Sequence, residues 1–444
     1  MFTIARHVRR AVIAIGTVTL IAGCSSVSTT PTTAPIATTA APIATVANSG
    51  SQASVGASAS QTTTGPCYQT AKTTFTVAMI RWAPADIYFN GEQLGEQIER
   101  DRIAKDCGVT INWKVFGADD VSQQITALQA DLAAGVDGVD ISPYKESAFT
   151  TIVKQLNDQK MPLVTHGSPI PGVSQVFVGM NNAKAGEIAG NAAIKALDAA
   201  RGQGWRQQAG VFIELRCIIT ATFDIGRDKG YHAAVDPIVA ASGGKITVET
   251  REVSCDDSKA RSATDDIISK DGPDKILAVL GIDGDSGFGA ASALQARGIQ
   301  KPPTDPKYIP VVAVDGSEAE FIAMSKGAML MAAEQPAVAI GIVAERLLYQ
   351  ELATGQLIPT AGTSLDMPDY SGAPWLPVAV TASSSAVLDE ANTFTGAWYE
   401  PATFDAASLP LDDHWHWANI LDHNTTGQWP HYDATGCASG CPKS

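Results

Sequence analysis

The chain has 444 residues, and its 46 acidic and 31 basic side chains give a formal net charge of -15. This length allows two or three domains with cores of ordinary size. The negative charge leaves no field that would attract nucleic-acid phosphates or an anionic lipid surface, so both classes of partner are disfavoured. Charged residues make up only 17% of the chain, which indicates a polar, uncharged segment.

The amino-terminal segment has the pattern of a secretion signal. Three early arginines precede an apolar run over 11–22, about half the ~20 residues that a membrane-spanning helix needs. The letters IAGC at 21–24 resemble the bacterial lipobox, in which the cysteine is acylated and becomes the first mature residue. We therefore predict a signal peptide over 1–23 and lipidation at Cys24, in preference to a spanning helix.

The next segment, 25–66, is rich in Ser, Thr, Ala and Pro and has neither a charge nor an aromatic ring. Such a composition buries too little apolar surface to fold. We predict that 24–66 is a disordered tether, which would hold a folded body away from a membrane.

From residue 74 onward, short β-branched apolar runs alternate with stretches of helical periodicity. The first series predicts strands over 74–82, 110–116, 138–142, 162–165 and 175–179, and helices over 90–106, 119–134 and 146–159. The second predicts a helix over 183–197 and strands over 209–215, 245–253, 275–281 and 309–315. Because these strands are apolar without alternation, they are expected to lie in parallel sheets buried on both faces. The pattern predicts two doubly wound α/β lobes with ligand-facing loops at the carboxyl ends of the strands.

Aromatic and planar polar residues follow the predicted strands. They are Arg81, Trp82, Asp86, Tyr88, Phe89, Ser142, Pro143, Tyr144, His166, Asn181, Asn182, Arg227, Asp283, Asp285 and Asp315. Aromatic faces stack on the C–H faces of a polyhydroxylated ligand, and carboxylate, amide and guanidinium groups bridge its neighbouring hydroxyls. Taken singly, each ring is more often a packing residue and each Asp more often a helix cap. As a set, they predict a ligand site.

Over about 75–391 the sequence resembles the sugar-type periplasmic binding proteins of ABC importers. The resemblance rests on the first strand leading into Tyr88-Phe89 and on five motifs. These are ITALQADLAAGVDGVDISP at 125–143, GMNNAKAGEIAG at 179–190, RDKGY at 227–231, VVAVDG at 311–316 and EQP at 334–336. By position, the family's sugar contacts fall on Tyr88, Phe89, Arg227, Asp283, Asp315 and Gln335. With Trp82, Asp86, Tyr144, His166 and Asn181 they form the predicted ligand-binding set.

One departure from the family pattern concerns the predicted fourth strand. The family's acidic-basic pair after that strand is replaced by Gly167-Ser168, with His166 just before it. An anchor for sugar hydroxyls is therefore missing, and the ligand could be a polyol, a modified sugar or another small polar molecule.

The resemblance implies the type I periplasmic binding protein fold, two doubly wound parallel-sheet lobes with a three-segment hinge. The hinge is expected near Asn181, Gln335 and Thr381. The predicted lobes are 67–180 plus 336–380 and 181–335 plus 381–391, followed by a C-terminal extension over 392–444. Two stiff lobes would close on the ligand while a few hinge residues absorb the change in dihedral angles.

The cysteine count is consistent with export, because six remain once Cys24 is set aside. The predicted fold brings together two pairs and leaves a third to close a small loop in the tail. The predicted pairs are Cys67 with Cys107, Cys217 with Cys255, and Cys437 with Cys441. The alternative is that some remain buried thiols, whereas a zinc site is disfavoured because the sequence has no C-x-x-C pair.

The C-terminal extension holds half of the eight tryptophans and four of the seven histidines. Such rings predict a segment folded against a lobe, because low-complexity tails lack them. His414 and His416, with Asp412, Asp413 and Asp422, could ligate a transition metal. The pattern favours a rigid aromatic cover with surface histidines over a metal site.

Two enzymatic functions are disfavoured by the motifs of the sequence. Glycines at 281, 284, 287 and 289 lack the G-x-G-x-x-G spacing of a dinucleotide site, and the nearby Asp283 and Asp285 would repel a pyrophosphate. No G-x-S-x-G motif supports a hydrolase.

We therefore predict a monomeric, non-enzymatic lipoprotein, without cofactor or metal, on the outer face of the bacterial cytoplasmic membrane. It is expected to bind a sugar or polyol and to deliver it to an ABC permease. The alternatives are a sensory receptor of the same fold that signals to a membrane kinase, or the binding of a non-sugar ligand such as a nucleoside.

Overall fold

The protein is described by a computed structural model. It covers residues 67–84, 86–170, 173, 176–335 and 337–355, and the strands at 381–384, 395–399, 403–405, 431–433 and 436–439. The predicted signal peptide, Cys24 and the tether therefore lie outside the described residues. None of the described helices is long and apolar enough to cross a membrane.

The first lobe alternates strands and helices. Its elements are β1 (Thr74–Arg81), α1 (Ile87–Cys107), β2 (Thr110–Gly117), α2 (Val121–Ala133), β3 (Gly138–Ile141), α3 (Thr150–Asp158), β4 (Leu163–His166) and β5 (Val176–Met180). A short 3-10 helix, Glu146–Phe149, precedes α3. Asp86 caps the start of α1 by accepting a hydrogen bond from the Tyr88 N–H, and Gly108 ends the helix in a left-handed conformation. The prediction for this series is correct to within a few residues.

The second lobe repeats this pattern. Its elements are α4 (Asn182–Arg201), β6 (Gly210–Arg216), α5 (Thr222–Ala241), β7 (Ile246–Glu252), α6 (Asp257–Asp271), β8 (Ile276–Gly281), α7 (Gly284–Ala296), β9 (Val311–Asp315), α8 (Glu318–Ser325) and β10 (Met331–Glu334). Two further 3-10 helices, Gln203–Gln207 and Pro273–Lys275, lie within it. Strand β10 was not among the predicted strands. The chain then returns to the first lobe as α9 (Ala337–Thr354), which packs on Leu94, Val164 and Val176.

Each lobe is built on a parallel sheet with the same strand order. In the first sheet the order is β5-β4-β3-β1-β2, and in the second it is β10-β9-β8-β6-β7. The order reverses between β1 and β3 and between β6 and β8. In doubly wound sheets, ligands bind outside the carboxyl ends of the strands at such a reversal. The topology confirms the predicted doubly wound α/β class.

The C-terminal strands correct part of the predicted domain boundaries. Strands β11 (Thr381–Ser384) and β12 (Thr395–Tyr399) extend the first sheet, and β13 (Thr403–Asp405) pairs with β10 of the second. The sequence had assigned 381–391 to the second lobe and 392–444 to a separate extension. A sheet edge offers unpaired backbone to any strand, so the sequence of a short strand does not specify which sheet it joins.

The remaining described strands, β14 (His431–Asp433) and β15 (Gly436–Ser439), form a separate hairpin. The histidines and aspartates that were weighed as metal ligands, and the other rings of the extension, lie outside the described residues or in strands of which only the backbone is described.

Among the described elements, the chain changes from one sheet to the other at three places, and one of them differs from the prediction. The first runs from β5 through Asn181 into α4, and the second from β10 through Gln335 into α9. The third lies between Tyr399 of β12 and Thr403 of β13, not near Thr381, because β11 and β12 both belong to the first sheet.

The structure joins two of the predicted cysteine pairs. Cys67 bonds to Cys107 with a Cα–Cα distance of 5.2 Å, and Cys217 bonds to Cys255 with a Cα–Cα distance of 4.4 Å. The first bond ties the segment before β1 to the end of α1, and the second ties the end of β6 to the end of β7. The predicted pairing of Cys437 with Cys441 lies outside the described residues.

Helices α4 and α5 pack with their backbones in direct contact because each has a glycine at the crossing. A Cβ atom at Gly186 would collide with the carbonyl of Arg227, and one at Gly230 would collide with the carbonyl of Ala183. Small residues let two helix backbones approach this closely, so the pair of glycines determines the position of Arg227.

Candidate ligand-binding cleft

A cavity of about 520 Å³ lies between the two lobes, at the carboxyl ends of their strands. Trp82 follows β1 and Tyr144 follows β3, whereas Cys217 follows β6 and Asp283 follows β8. These four residues mark the points where the strand order reverses. All the predicted ligand contacts except His166 and Asn181 line the cavity, namely Trp82, Asp86, Tyr88, Phe89, Tyr144, Arg227, Asp283, Asp315 and Gln335.

The first lobe provides an aromatic wall. The ring of Trp82 lies 5.2 Å from that of Phe89 and 5.4 Å from that of Tyr144, measured between centroids. Tyr88 meets Phe89 edge to face at 5.0 Å, and its hydroxyl donates a hydrogen bond of 2.5 Å to Glu92. Rings held in this way present apolar faces of fixed orientation, as stacking on a sugar or another ring requires.

The second lobe provides a hydrogen-bonding group centred on Arg227, which is buried. Its guanidinium donates to Asn182 Oδ1 at 3.0 Å, to the Ile282 carbonyl at 2.9 Å and to Gln335 Oε1. A longer contact of 3.4 Å reaches Asp315 Oδ1, while Asp315 Oδ2 accepts from the Gly284 N–H at 2.8 Å. We call Arg227, Asn182, Asp315 and Gln335 the cleft cluster. Its polar atoms are held in place before any ligand arrives.

Carboxylates crowd the cleft from both lobes. Asp283 caps α7 by accepting from the Ser286 N–H at 2.8 Å, and burial raises its pKa above the usual value. Burial also raises the pKa of Asp86, which lies on the other lobe. At the mouth of the cleft, withdrawal from bulk water and the neighbouring carboxylates of Asp283 and Asp86 raise the pKa of Asp285 to about 7. Each shift reports that a negative charge is unfavourable there.

His166, one of the predicted contacts, does not line the cavity. It is 2% exposed and lies beneath the cavity, where Nδ1 is 2.9 Å from Glu92 Oε2 and Nε2 is 2.6 Å from Asp140 Oδ1. Glu96 Oε1 is 3.2 Å from Nε2. Burial alone would lower the pKa of His166, but the Asp140 and Glu92 carboxylates outweigh it and hold the pKa well above its usual value. We call His166, Glu92, Glu96 and Asp140 the floor cluster.

Asn181, another predicted contact, does not line the cavity either. Its side chain accepts a hydrogen bond of 2.9 Å from the Lys184 N–H and so caps α4 at the first passage between the lobes. The first backbone N–H groups of a helix lack partners within the helix, and Asn is among the residues that best satisfy them.

Several cavity residues were missed at the sequence level, among them Phe223 and Lys145. Phe223 is the second residue of α5, and its ring lies 6.3 Å from that of Trp82 on the other lobe. It stands four residues before Arg227, so both share a helix face, and this spacing could have identified it. Lys145 directly follows Tyr144, and its ammonium lies 5.2 Å from the Tyr144 ring centroid. No signal in the sequence distinguishes it from an ordinary surface lysine.

Two direct hydrogen bonds join the lobes beside the cavity. Glu146 of the first lobe accepts from the Thr222 N–H at 3.1 Å and from the Thr222 hydroxyl at 3.0 Å. Helix α5 begins after Ala221, whose side chain cannot cap it. A carboxylate from the opposite lobe therefore caps the helix that carries Phe223 and Arg227, and it can do so only while the lobes are together.

Comparison with known families identifies this architecture. The model of a periplasmic binding protein domain matches residues 91–357, which is more than half of the chain. The chain belongs to this family of periplasmic binding proteins. Its members are non-enzymatic solute-binding proteins. No curated protein matches the sequence.

Solved structures share the periplasmic binding protein fold at low sequence identity. A galactofuranose-binding protein has a TM-score of 0.56 at 18% identity, over 76% of this chain and 96% of its own. A solute-binding protein from Actinobacillus succinogenes with bound D-allose has a TM-score of 0.57 at 14% identity, over 75% and 98%. A periplasmic ribose ABC transporter protein from Conexibacter woesei has a TM-score of 0.56 at 17% identity, over 77% and 95%. These matches confirm the type I periplasmic binding protein fold.

Proposed function

We propose that the protein is an extracytoplasmic lipoprotein that captures a sugar or polyol between its lobes and delivers it to an ABC permease. The observation that carries this proposal is the pairing of an aromatic wall on one lobe with the cleft cluster on the other. A pyranose or furanose ring offers C–H faces to the first and hydroxyls to the second.

The roles of the individual residues follow from their contacts. Trp82, Phe89 and Tyr144 would stack on the ring of the ligand. Arg227 and Asp315 would bridge neighbouring hydroxyls, because one is a planar donor and the other a planar acceptor. A ligand enclosed on both sides would be withdrawn from water, so every hydroxyl would need a partner from the protein.

The structural relatives support a sugar ligand. Their printed descriptions name galactofuranose, D-allose and ribose, three sugars that differ in ring size and stereochemistry. The absence of the family's acidic-basic pair after β4 is consistent with a ligand whose hydroxyls are arranged differently.

Calorimetry against pentoses, hexoses, polyols and nucleosides tests the proposal. The Asp315→Ala variant should bind the identified ligand at least about tenfold more weakly, since an unpaired buried hydroxyl costs ~1 to 3 kcal/mol and ~1.4 kcal/mol is a factor of ten. Asp158→Ala, at an exposed ion pair on α3, is the matched control and should bind like the parent. Unchanged affinity in Asp315→Ala would place the site elsewhere.

The membrane anchor has its own test. Replacing Cys24 with Ala should move the protein from the membrane fraction to the soluble fraction. The variant lacks the acyl chains that anchor the protein, and the apolar run is too short to span the bilayer in their place. Retention of this variant in membranes would contradict lipidation at Cys24.

A further inference from the structure

The cleft carries an excess of acidic over basic side chains. The lining carboxylates are Asp86, Asp119, Glu252, Asp283, Asp285 and Asp315, whereas the lining cations are Lys145 and Arg227. A neutral sugar would leave these carboxyl groups without a cationic partner in a cleft from which ligand binding excludes water.

The two cations are outnumbered by the six lining carboxyl groups. Arg227 is engaged with Asn182, Gln335 and a backbone carbonyl, and its nearest contact with Asp315 is 3.4 Å. The Lys145 ammonium lies over the Tyr144 ring. Asp86, Asp283 and Asp285 make no ion pair among the described residues.

One carboxylate oxygen is notably without a partner. Asp283 is 7% exposed, and within the described part of the chain its Oδ2 atom is buried and accepts no hydrogen bond. Asp86 faces Asp283 and Asp285 from the other lobe, and these negative charges contribute to the raised pKa of Asp86 and of Asp285. A positive charge between the lobes would relieve this repulsion and stabilise their closure.

The aromatic wall also favours a positively charged ligand. Trp82, which packs on Phe89 and Tyr144, also meets Phe223 of the second lobe, and the ring centroids of Trp82 and Phe223 are 6.3 Å apart. The faces of aromatic rings attract cations, most strongly where water is excluded. Rings and carboxylates therefore surround the same space.

We infer that the ligand is a polyhydroxylated molecule that carries a protonated amine, as in an amino sugar or an aminocyclitol. The inference rests on the proposed function, since it assigns a charge to the ligand of the same cleft. The ammonium would lie between Asp86 and Asp285 near the rings, and the hydroxyls would contact the cleft cluster.

A series of hexoses that differ in charge tests the inference by calorimetry. The probes are D-glucosamine, D-galactosamine and D-mannosamine, each compared with its neutral parent hexose and its N-acetyl derivative, and D-galacturonate is the anionic probe. At pH 7 and low salt, at least one amine should bind about tenfold tighter than both neutral partners, because ~1.4 kcal/mol of net attraction is a factor of ten. The preference should fall as salt is added, and galacturonate should bind most weakly.

A variant at Asp285 tests where the ligand ammonium binds. Asp285→Asn should reduce the preference for the amine over its neutral parent hexose at least about threefold, because the amide has nearly the same shape and removes only the charge. Asp158→Asn removes a charge from the outer surface and is the matched control.

The outcomes separate the inference from the proposed function. Neutral hexoses that bind as tightly as their amines, or an Asp285→Asn variant that keeps the full preference, would overturn the inference and leave the sugar-binding proposal intact. Failure of every hexose, amine, pentose and polyol to bind would overturn both.

Discussion

Two ionic clusters lie at the carboxyl ends of strands on opposite sides of the cleft, and they differ in access. In the floor cluster, His166 and its carboxylates are sealed beneath the aromatic wall. In the cleft cluster, Asp315 is 21% exposed and lines the cavity together with Arg227 and Gln335. Position at a strand end therefore does not by itself make a residue a ligand contact.

The difference arises from what covers each strand end. Strand β4 ends at His166, and the imidazole is enclosed by Glu92 and Glu96 of α1 and by Asp140 of β3. Strand β9 ends at Asp315, and the chain turns away there at Gly316 with a φ of 78°. The floor cluster supports the wall, since Glu92 holds both His166 and the Tyr88 hydroxyl.

The largest expected effect comes from removing the buried imidazolium of the floor cluster. The His166→Ala variant should lose about 3 to 5 kcal/mol of unfolding free energy, because it leaves buried carboxylates without their cation. Urea denaturation measures the change. His232→Ala, at a half-exposed cluster on α5, is the control and should lose at most about 1 kcal/mol. If His166→Ala keeps its stability but fails to bind ligand, the result would instead support the predicted direct contact between His166 and the ligand.

The position of the cleft cluster depends on the glycine crossing. Gly186→Ala should cost about 1 to 3 kcal/mol of unfolding free energy, because the added methyl meets the Arg227 carbonyl and the helices must separate. Ligand affinity should fall as well, since Arg227 moves with α5. Gly204→Ala is the control, because no atom lies within 4 Å of its added methyl. Equal stability in the two variants would contradict this account.

The contact between the lobes offers a smaller test. Glu146→Ala should weaken ligand binding about three- to tenfold, because the hydrogen bonds to Thr222 form only when the lobes are together and each is worth ~0.5 to 1.5 kcal/mol. Glu146→Gln keeps an acceptor and should bind more tightly than Glu146→Ala. Calorimetry of both variants measures the effect, and equal affinities in both variants and the parent would show that this contact does not assist closure.

The smallest expected effect is the pH dependence of the half-exposed cluster around His232. Contact with Glu214, supported by Asp236, raises the pKa of His232 from 6.5 to about 9, and Asp228 and Arg216 complete the cluster. A raised histidine pKa means that this stabilisation is present below pH 6.5 and is lost as pH rises towards 9.

Urea midpoints measured from pH 6 to 10 test this expectation. The difference in stability between the parent and His232→Gln should shrink across that window, in contrast to a constant difference if the histidine did not titrate there.

The fold class and most of the strands could be predicted from the sequence alone. Apolar runs without alternation specify strands buried on both faces, and such strands require helices on each side of a parallel sheet. The cavity residues at the ends of β1, β3, β8 and β9 followed from the same reasoning, because carboxyl ends of parallel strands lie at one edge.

The tertiary structure decided which of the candidate residues the cavity exposes. His166 and Asn181 carry the same local signal as Asp315, but the first is enclosed by α1 and the second caps α4. Lys145, Phe223 and the sheet that β11 joins were likewise set by the approach of distant segments. Local sequence encodes periodicity and caps, whereas enclosure depends on which elements pack over a residue, and that depends on contacts across the whole chain.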